Sequence, residues 1–364
     1  MKVAIAAGGT GGHVFPALSV ARALRKKEPS MSLLWFGTRR NREKELCQKD
    51  GIPIEFLAVS SSHNRFSIRI VGAIMQFARE TCKAVHVLKR ERPDTVIAFG
   101  GYVSAPVLAA ALYARIPFFL HEQNTVPGFV NRLFSRFAKT TFLGFPLVGN
   151  WKLGGELRVV GTPVREIEGD YKDFRYPETI DRAKKTVLIC GGSQGALSMN
   201  RLLVKPVLRW AENNIQVIWQ TGAASAGEIR NAIGNTGSVV LYESIEDLYP
   251  FYAIAKVVVG RSGASTLAEV AYFGLPCITI PLPWSAENHQ WMNAGLIEAQ
   301  GWGIRIAQDE NGGKAVEEAV IRILSDQSEF ESMSMKALDN GLTNAASVIA
   351  DGLLAQGEND YAPV

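Results

Sequence analysis

The stretch Val3–Leu24, VAIAAGGTGGHVFPALSVARAL, decides the fold. Its first five residues are an apolar, strand-like run. Gly8, Gly9, Gly11 and Gly12 follow within five positions, then His13 and a helical pattern. Strand, glycine turn and helix in that order open a doubly wound α/β domain. The turn sets backbone N–H groups at a helix start, where a phosphate is usually received. The theme returns at 186–203 as TVLICGGSQGALSMNRLL.

Apolar runs at 32–37, 54–59, 95–100, 117–123, 140–145 and 157–163 continue the first half as strands, with helical patterns between several of them. Runs at 215–222, 238–244, 255–263, 276–283 and 302–307 continue the second. This alternation builds parallel sheets covered by helices on both faces. Between the halves lies a polar stretch, EIEGDYKDFRYPETIDRAKK at 166–185, which reads as a linker. The expected fold class is therefore α/β, two doubly wound Rossmann-like domains with a cleft between them. The expected boundaries are 1–164 plus about 341–364 for one domain and 165–340 for the other. The segment Glu329–Gln356 reads as helical and as packing back across the linker.

Composition narrows the function classes. The chain has 364 residues, 47% hydrophobic and 20% charged, with a net charge of +4, which is mild for a nucleic-acid binder. Cys47, Cys82, Cys190 and Cys277 lie far apart with no CxxC pair, and the five histidines lack ligand spacing. A reducing compartment and no structural metal are expected. The first apolar run breaks at Gly8 and follows no charged leader, so it does not read as a signal peptide. No run of about 18 apolar residues offers a membrane span.

The glycine turns match no single fingerprint. GGTGGH (8–13) lacks the Lys-Ser/Thr ending of a Walker loop and fits GxGxxG only loosely. After the second strand stands WFGTRRNRE (35–43), whose Arg39 and Arg40 would suit a 2′-phosphate. An NADP oxidoreductase is therefore a rival, as are a UDP-sugar epimerase and a non-catalytic lipid-surface protein. The glycines could serve only a tight turn, but four in five positions exceed that need. His13 could be a simple helix-entry residue. Yet a helix start disfavours imidazolium, and a neutral imidazole beside an anion loop suits a general base. In GRSGASTLAE (260–269), Glu269 sits one turn inside a helix, where its carboxylate could accept both ribose hydroxyls or merely answer the helix dipole. HEQN (121–124) ends an apolar strand with four polar side chains, a pattern typical of sites. Arg165 in GTPVRE (161–166) fits a salt bridge or a phosphate.

Taken together, GGTGGHVFPALSVA, FGGYVSAP, HEQN, GTPVR, GGSQGA, RSGASTLAE and ENHQWMNA occur in an order and spacing that resemble the MurG family of bacterial transferases, over nearly the whole chain. The resemblance implies the two-domain glycosyltransferase fold called GT-B. It implies metal-free transfer of N-acetylglucosamine from UDP-N-acetylglucosamine to lipid-linked N-acetylmuramyl-pentapeptide, with no cofactor. Thr10, Gly11 and Gly12 would contact the sugar nucleotide, and Asn124 the transferred sugar. Arg165 and Ser193 would hold the diphosphate side, and Ile245 would offer backbone groups to uracil. Ala264, Ser265, Thr266, Leu267, Ala268 and Glu269 would line the nucleotide, with Glu269 on the ribose; Gln290 would bind sugar hydroxyls. His13 and Glu122 compete for the role of base. The first domain would take the acceptor and the membrane, the second the UDP-sugar.

One further segment fits that picture. In Arg65–Arg92, Phe66, Ile70, Ile74, Phe77, Ala84 and Leu88 form one apolar stripe, and Ile68, Val71, Met75, Ala78, Cys82 and Val85 a second. Packing on a sheet needs only one stripe, and basic residues outnumber acidic ones there. A wide core-facing helix explains this as well as an interfacial patch does. A membrane-borne substrate favours the patch, on an anionic surface at the cytoplasmic face of the bacterial inner membrane. No nucleic-acid partner is expected.

Overall fold

The computed structural model describes residues 1–39, 43–59, 67–166, 171, 173–191 and 196–359, with backbone alone at 67–71 and 356–359. It divides into two units, Met1–Arg165 with Thr343–Val364, and Glu166–Leu342.

In the first unit the elements run β1 (Lys2–Ala6), α1 (Gly11–Lys27), β2 (Ser32–Gly37), α2 (Glu43–Lys49), β3 (Ile54–Phe56), α3 (Ser67–Glu91), β4 (Thr95–Ala98), α4 (Ser104–Ala114), β5 (Phe118–Glu122), α5 (Phe129–Phe134), β6 (Thr140–Leu143) and β7 (Glu156–Val159). Every strand pairing is parallel, and the order β3-β2-β1-β4-β5-β6-β7 places the topological switch between β1 and β4. β1 and β4 are buried on both faces apart from Lys2, which is why they read as unbroken apolar runs.

The second unit runs β8 (Thr186–Cys190), α6 (Leu197–Glu212), β9 (Gln216–Gln220), α7 (Ala223–Ile233), β10 (Val239–Tyr242), α8 (Tyr249–Ile254), β11 (Val257–Gly260), α9 (Ala264–Tyr272), β12 (Cys277–Thr279), α10 (His289–Ala299), β13 (Gly303–Arg305), α11 (Gly312–Ser325) and α12 (Gln327–Asn340). Its parallel sheet has the order β10-β9-β8-β11-β12-β13, with the switch between β8 and β11.

The helical segment expected over Glu329–Gln356 is two helices. α12 ends at Gly341, where a Cβ would stand 2.7 Å from the Ala271 carbonyl, so only glycine allows this approach to α9. The last helix, α13 (Ala345–Asn359), returns to the first unit. There Ile349, Ala350 and Leu353 are fully buried in the core that also holds Val20 and Leu24 of α1. Lys27 pairs with Asp351 at 2.8 Å across that contact.

Candidate active site

In the first unit two glycine turns meet at the switch point, where doubly wound sheets take their ligands. Thr10, extended, is the N-cap of α1, and Gly11, Gly12 and His13 form its first turn. The turn after β4, Gly100–Gly101, leans against it with positive φ at both residues. A Cβ on Gly101 would lie 2.6 Å from the Gly8 carbonyl and 3.3 Å from His13 Nδ1. One on Gly100 would lie 3.3 Å from His13 Nε2 and 3.9 Å from Gln123 Oε1. Two side-chain-free residues therefore let the His13 ring settle between the glycine turn and the HEQN strand end. Thr10 Oγ1 and His13 Nδ1 are 3.1 Å apart, which orients the ring.

Glu43 holds this turn from behind. It is 1% exposed. It accepts the Gly9 N–H at 2.9 Å, the Thr38 N–H at 2.5 Å and the Thr38 hydroxyl at 2.7 Å. Nothing in the sequence singles it out, because its partners Gly9 and Thr38 belong to other turns. Arg39 lies 5.9 Å from the centre of the Phe56 ring, and Arg40 is outside the described residues.

Glu122, at the end of β5, is buried and receives four N–H donors. Oε1 accepts from the Asn124 backbone at 3.0 Å and from its side-chain amide at 3.3 Å. Oε2 accepts from the Gly128 backbone at 2.8 Å and from Asn131 Nδ2 at 2.7 Å. Burial pushes its carboxyl pKa up, against these donors, which favour the charged form. With both oxygens engaged, Glu122 has the geometry of an anchor for the 122–128 loop, and a base must keep a lone pair for the substrate. Next to it, His121 is fully buried, and burial lowers its pKa to about 4. Its Nε2 meets the Gly161 carbonyl at 3.1 Å.

The second unit gathers the other candidates along the carboxyl edge of its sheet. Gly263 is the extended N-cap of α9, so Ala264, Ser265 and Thr266 form the first turn, with Leu267 and Ala268 next. Glu269, one turn in, accepts the Tyr252 hydroxyl at 3.2 Å. Gln290 joins this start: Ser262 Oγ donates to its carbonyl at 2.7 Å, and its own Oε1 accepts the Leu282 N–H at 2.9 Å. The side-chain amide is thereby fixed with its oxygen inward, leaving the NH2 group as the donor. Ile245 is half-buried in the loop between β10 and α8. Arg165 closes the first unit in sequence, and Ser193 lies outside the described residues.

These two units each carry a doubly wound parallel sheet with a glycine turn or helix start at its switch point. The N-terminal domain model of glycosyltransferase family 28 matches residues 3–143, and its C-terminal domain model matches 186–350. A Listeria monocytogenes UDP-N-acetylglucosamine–N-acetylmuramyl-(pentapeptide) pyrophosphoryl-undecaprenol N-acetylglucosamine transferase is 32% identical over 360 residues, covering 98% of this chain and 99% of that one. A Halorhodospira halophila protein of the same name is 35% identical over 341 residues, 92% of each chain. The crystal structure of Acinetobacter baumannii MurG superposes with a TM-score of 0.76 at 27% identity, covering 97% of this chain and 99% of that one. The chain belongs to the MurG family. A Neisseria meningitidis UDP-GlcNAc 2-epimerase at 16% identity and TM-score 0.69 shares the fold.

Proposed function

We infer that this chain transfers N-acetylglucosamine from UDP-N-acetylglucosamine to the 4-hydroxyl of lipid-linked N-acetylmuramyl-pentapeptide, the glycosylation step of peptidoglycan synthesis that its family performs. The observation that carries the reading is family membership over both domains, joined to a glycine turn and helix start at the first unit's switch point. The second unit, Glu166–Leu342, takes the UDP-sugar. Ile245 meets uracil, the α9 start from Ala264 to Glu269 lines the nucleoside, and Gln290 donates to sugar hydroxyls. Arg165 and Ser193 hold the diphosphate. The first unit takes the acceptor, with Thr10, Gly11, Gly12 and Asn124 reaching the transferred sugar.

The reaction is one inverting displacement. The acceptor oxygen forms a bond to the anomeric carbon as the bond from that carbon to the β-phosphate oxygen breaks. The hydroxyl proton passes to His13, whose ring Thr10 orients. The charge gained by departing UDP is met by backbone N–H groups at helix starts. Glu122 positions Asn124 and takes no proton.

Attachment to the cytoplasmic face of an anionic bacterial membrane is peripheral in this reading. Among the described residues no helix is long and apolar enough to cross a membrane. The first half of α3 supports surface contact: Ile74, Met75 and Phe77 are exposed, at 61%, 67% and 42%, with Arg79 and Lys83 beside them. The core-facing alternative accounts only for its second half, where Ala84, Val87 and Leu88 are buried.

The test is direct. A short-chain lipid-linked acceptor incubated with UDP-N-acetylglucosamine should gain one N-acetylhexosamine by mass, with UDP released. An unmodified acceptor, with NADP and not UDP stabilising the fold, would overturn the reading.

A further inference from the structure

Arg261 is the first residue after β11, at the switch point of the second sheet. It is 9% exposed. Four of its five N–H groups are bonded, and every acceptor is neutral. Nη1 donates to the Ile280 carbonyl at 2.8 Å and the Pro281 carbonyl at 3.2 Å. Nη2 donates to Gln308 Oε1 at 2.6 Å and Ser198 Oγ at 3.3 Å. Among the described residues no carboxylate pairs with it. The hydrogen bonds satisfy the guanidinium's donors but leave its net charge unanswered, and a buried, unanswered charge is costly.

Its surroundings add to the cost. Ser198 is the second residue of α6, whose N-terminal partial charge is also positive. The neighbouring α9 begins at Ala264, three residues on from Arg261. Burial pulls the guanidinium pKa down to about 10, so it stays charged at neutral pH. A permanent cation and two helix starts therefore converge at the edge where the sheet takes its ligand, and among the described residues no carboxylate is bonded to the guanidinium.

We propose that Arg261 is the built-in counter-charge for the diphosphate of the nucleotide donor, acting across the first turn of α6. This rests on the reading that the second unit binds a UDP-sugar. The side chain is spent on protein acceptors, so it works through the field and is a positioning charge, not a group that touches the substrate. In a low-dielectric setting such a charge persists over several ångströms. It favours the departing UDP more than the bound UDP-sugar, because the β-phosphate gains negative charge as the sugar leaves.

The test compares UDP with uridine, which shares the base and ribose but has no phosphate. Gln308→Glu is nearly isosteric, keeps an acceptor for Nη2 and supplies the missing carboxylate. It should weaken UDP binding by about tenfold or more while leaving uridine within about twofold. Arg261→Gln should do the same and lower kcat for transfer; Arg261→Lys, which keeps the charge, should restore much of the UDP preference. Calorimetry on the full chain, with thermal melting as the folding control, reads each case. Equal losses for UDP and uridine would reduce Arg261 to a structural clamp, and unchanged UDP affinity in Gln308→Glu would show that its charge is not felt. Both outcomes overturn the proposal. Failure of the wild-type chain to bind UDP would instead overturn the donor reading, and is measured first.

Discussion

Asn131 of α5 donates its side-chain amide to Glu122 Oε2 at the end of β5, at 2.7 Å. This bond ties a helix to the strand end that carries Asn124, and Glu122 Oε1 holds Asn124 from the other side. Glu122→Ala should therefore loosen the loop and cut transfer by about 10²-fold through misplacement. Glu122→Gln replaces one accepting oxygen with a donor facing donors, so it should be impaired as well. In both, the pH profile of the residual activity should keep its wild-type inflections. Loss of the acidic limb in Glu122→Gln would return the residue to the role of base.

His13 is the base in the proposed chemistry. His13→Asn should lower kcat by about 10²–10⁴-fold. The KM for UDP-N-acetylglucosamine should change little, because the ring packs in the first unit against Gly100 and Gly101. Steady-state kinetics across pH checks this. The acidic limb should flatten in the variant; an intact limb at wild-type position would assign the proton elsewhere.

Glu269 lies one turn into α9 and already accepts the Tyr252 hydroxyl. Glu269→Ala should weaken UDP by the loss of charge-assisted bonds to the ribose, each about 1.5–3 kcal/mol. A UDP analogue without 2′- and 3′-hydroxyls should bind wild type and variant alike. If the analogue loses affinity in step with UDP, the residue shapes the helix and does not read the sugar.

The strands were legible because parallel strands buried on both faces read as plain apolar runs, as in TVLIC and VVVG. The glycine turns were legible because no ordinary turn needs four glycines in five residues. What stayed hidden was side-chain partnership over long separation. Glu43 and Gly9 are 34 positions apart. Nothing local marks Arg261 as unpaired either, because its four acceptors come from three separate segments. The break in the C-terminal helical segment depends on how closely Gly341 approaches Ala271, a tertiary contact that helix propensity does not register.

His121 gives the fold an acid-sensitive element. Its folded pKa is about 4, held down by burial, whereas imidazole in an unfolded chain titrates near ~6.5. Between these values the unfolded chain binds a proton that the folded one refuses. The contribution is thus complete above pH ~6.5 and lost as pH falls toward 4, up to about 3 kcal/mol. Glu122, with its raised pKa, works in the opposite sense. His121→Asn isolates the histidine: urea unfolding at pH 7 and pH 5 should show a smaller drop in the variant than in wild type. Parallel drops would remove His121 as the cause.

The exposed residues Ile74, Met75 and Phe77 of α3 should carry membrane attachment without carrying the chemistry. The helix is fastened by Gln76, which donates to the Ala58 carbonyl, by Glu80, whose carboxylate accepts the Ala58 N–H at 3.0 Å, and by Lys83, which donates to the Phe56 carbonyl at 2.6 Å. Ile74, Met75 and Phe77 are exposed and lie outside the buried core cluster under α3, so replacing all three with serine leaves that cluster intact. The side chains of Ile68, Ile70 and Val71 from the two stripes lie outside the described residues. Each apolar side chain withdrawn from the lipid interface forfeits about 1.5–3 kcal/mol, so the triple variant should leave anionic vesicles in a flotation assay. Added salt should weaken wild-type binding through Arg79 and Lys83. The melting temperature and transfer to a soluble acceptor should stay near wild type. A variant that unfolds would place these side chains in the core, and one that folds yet floats as before would move the attachment to another face of the first unit.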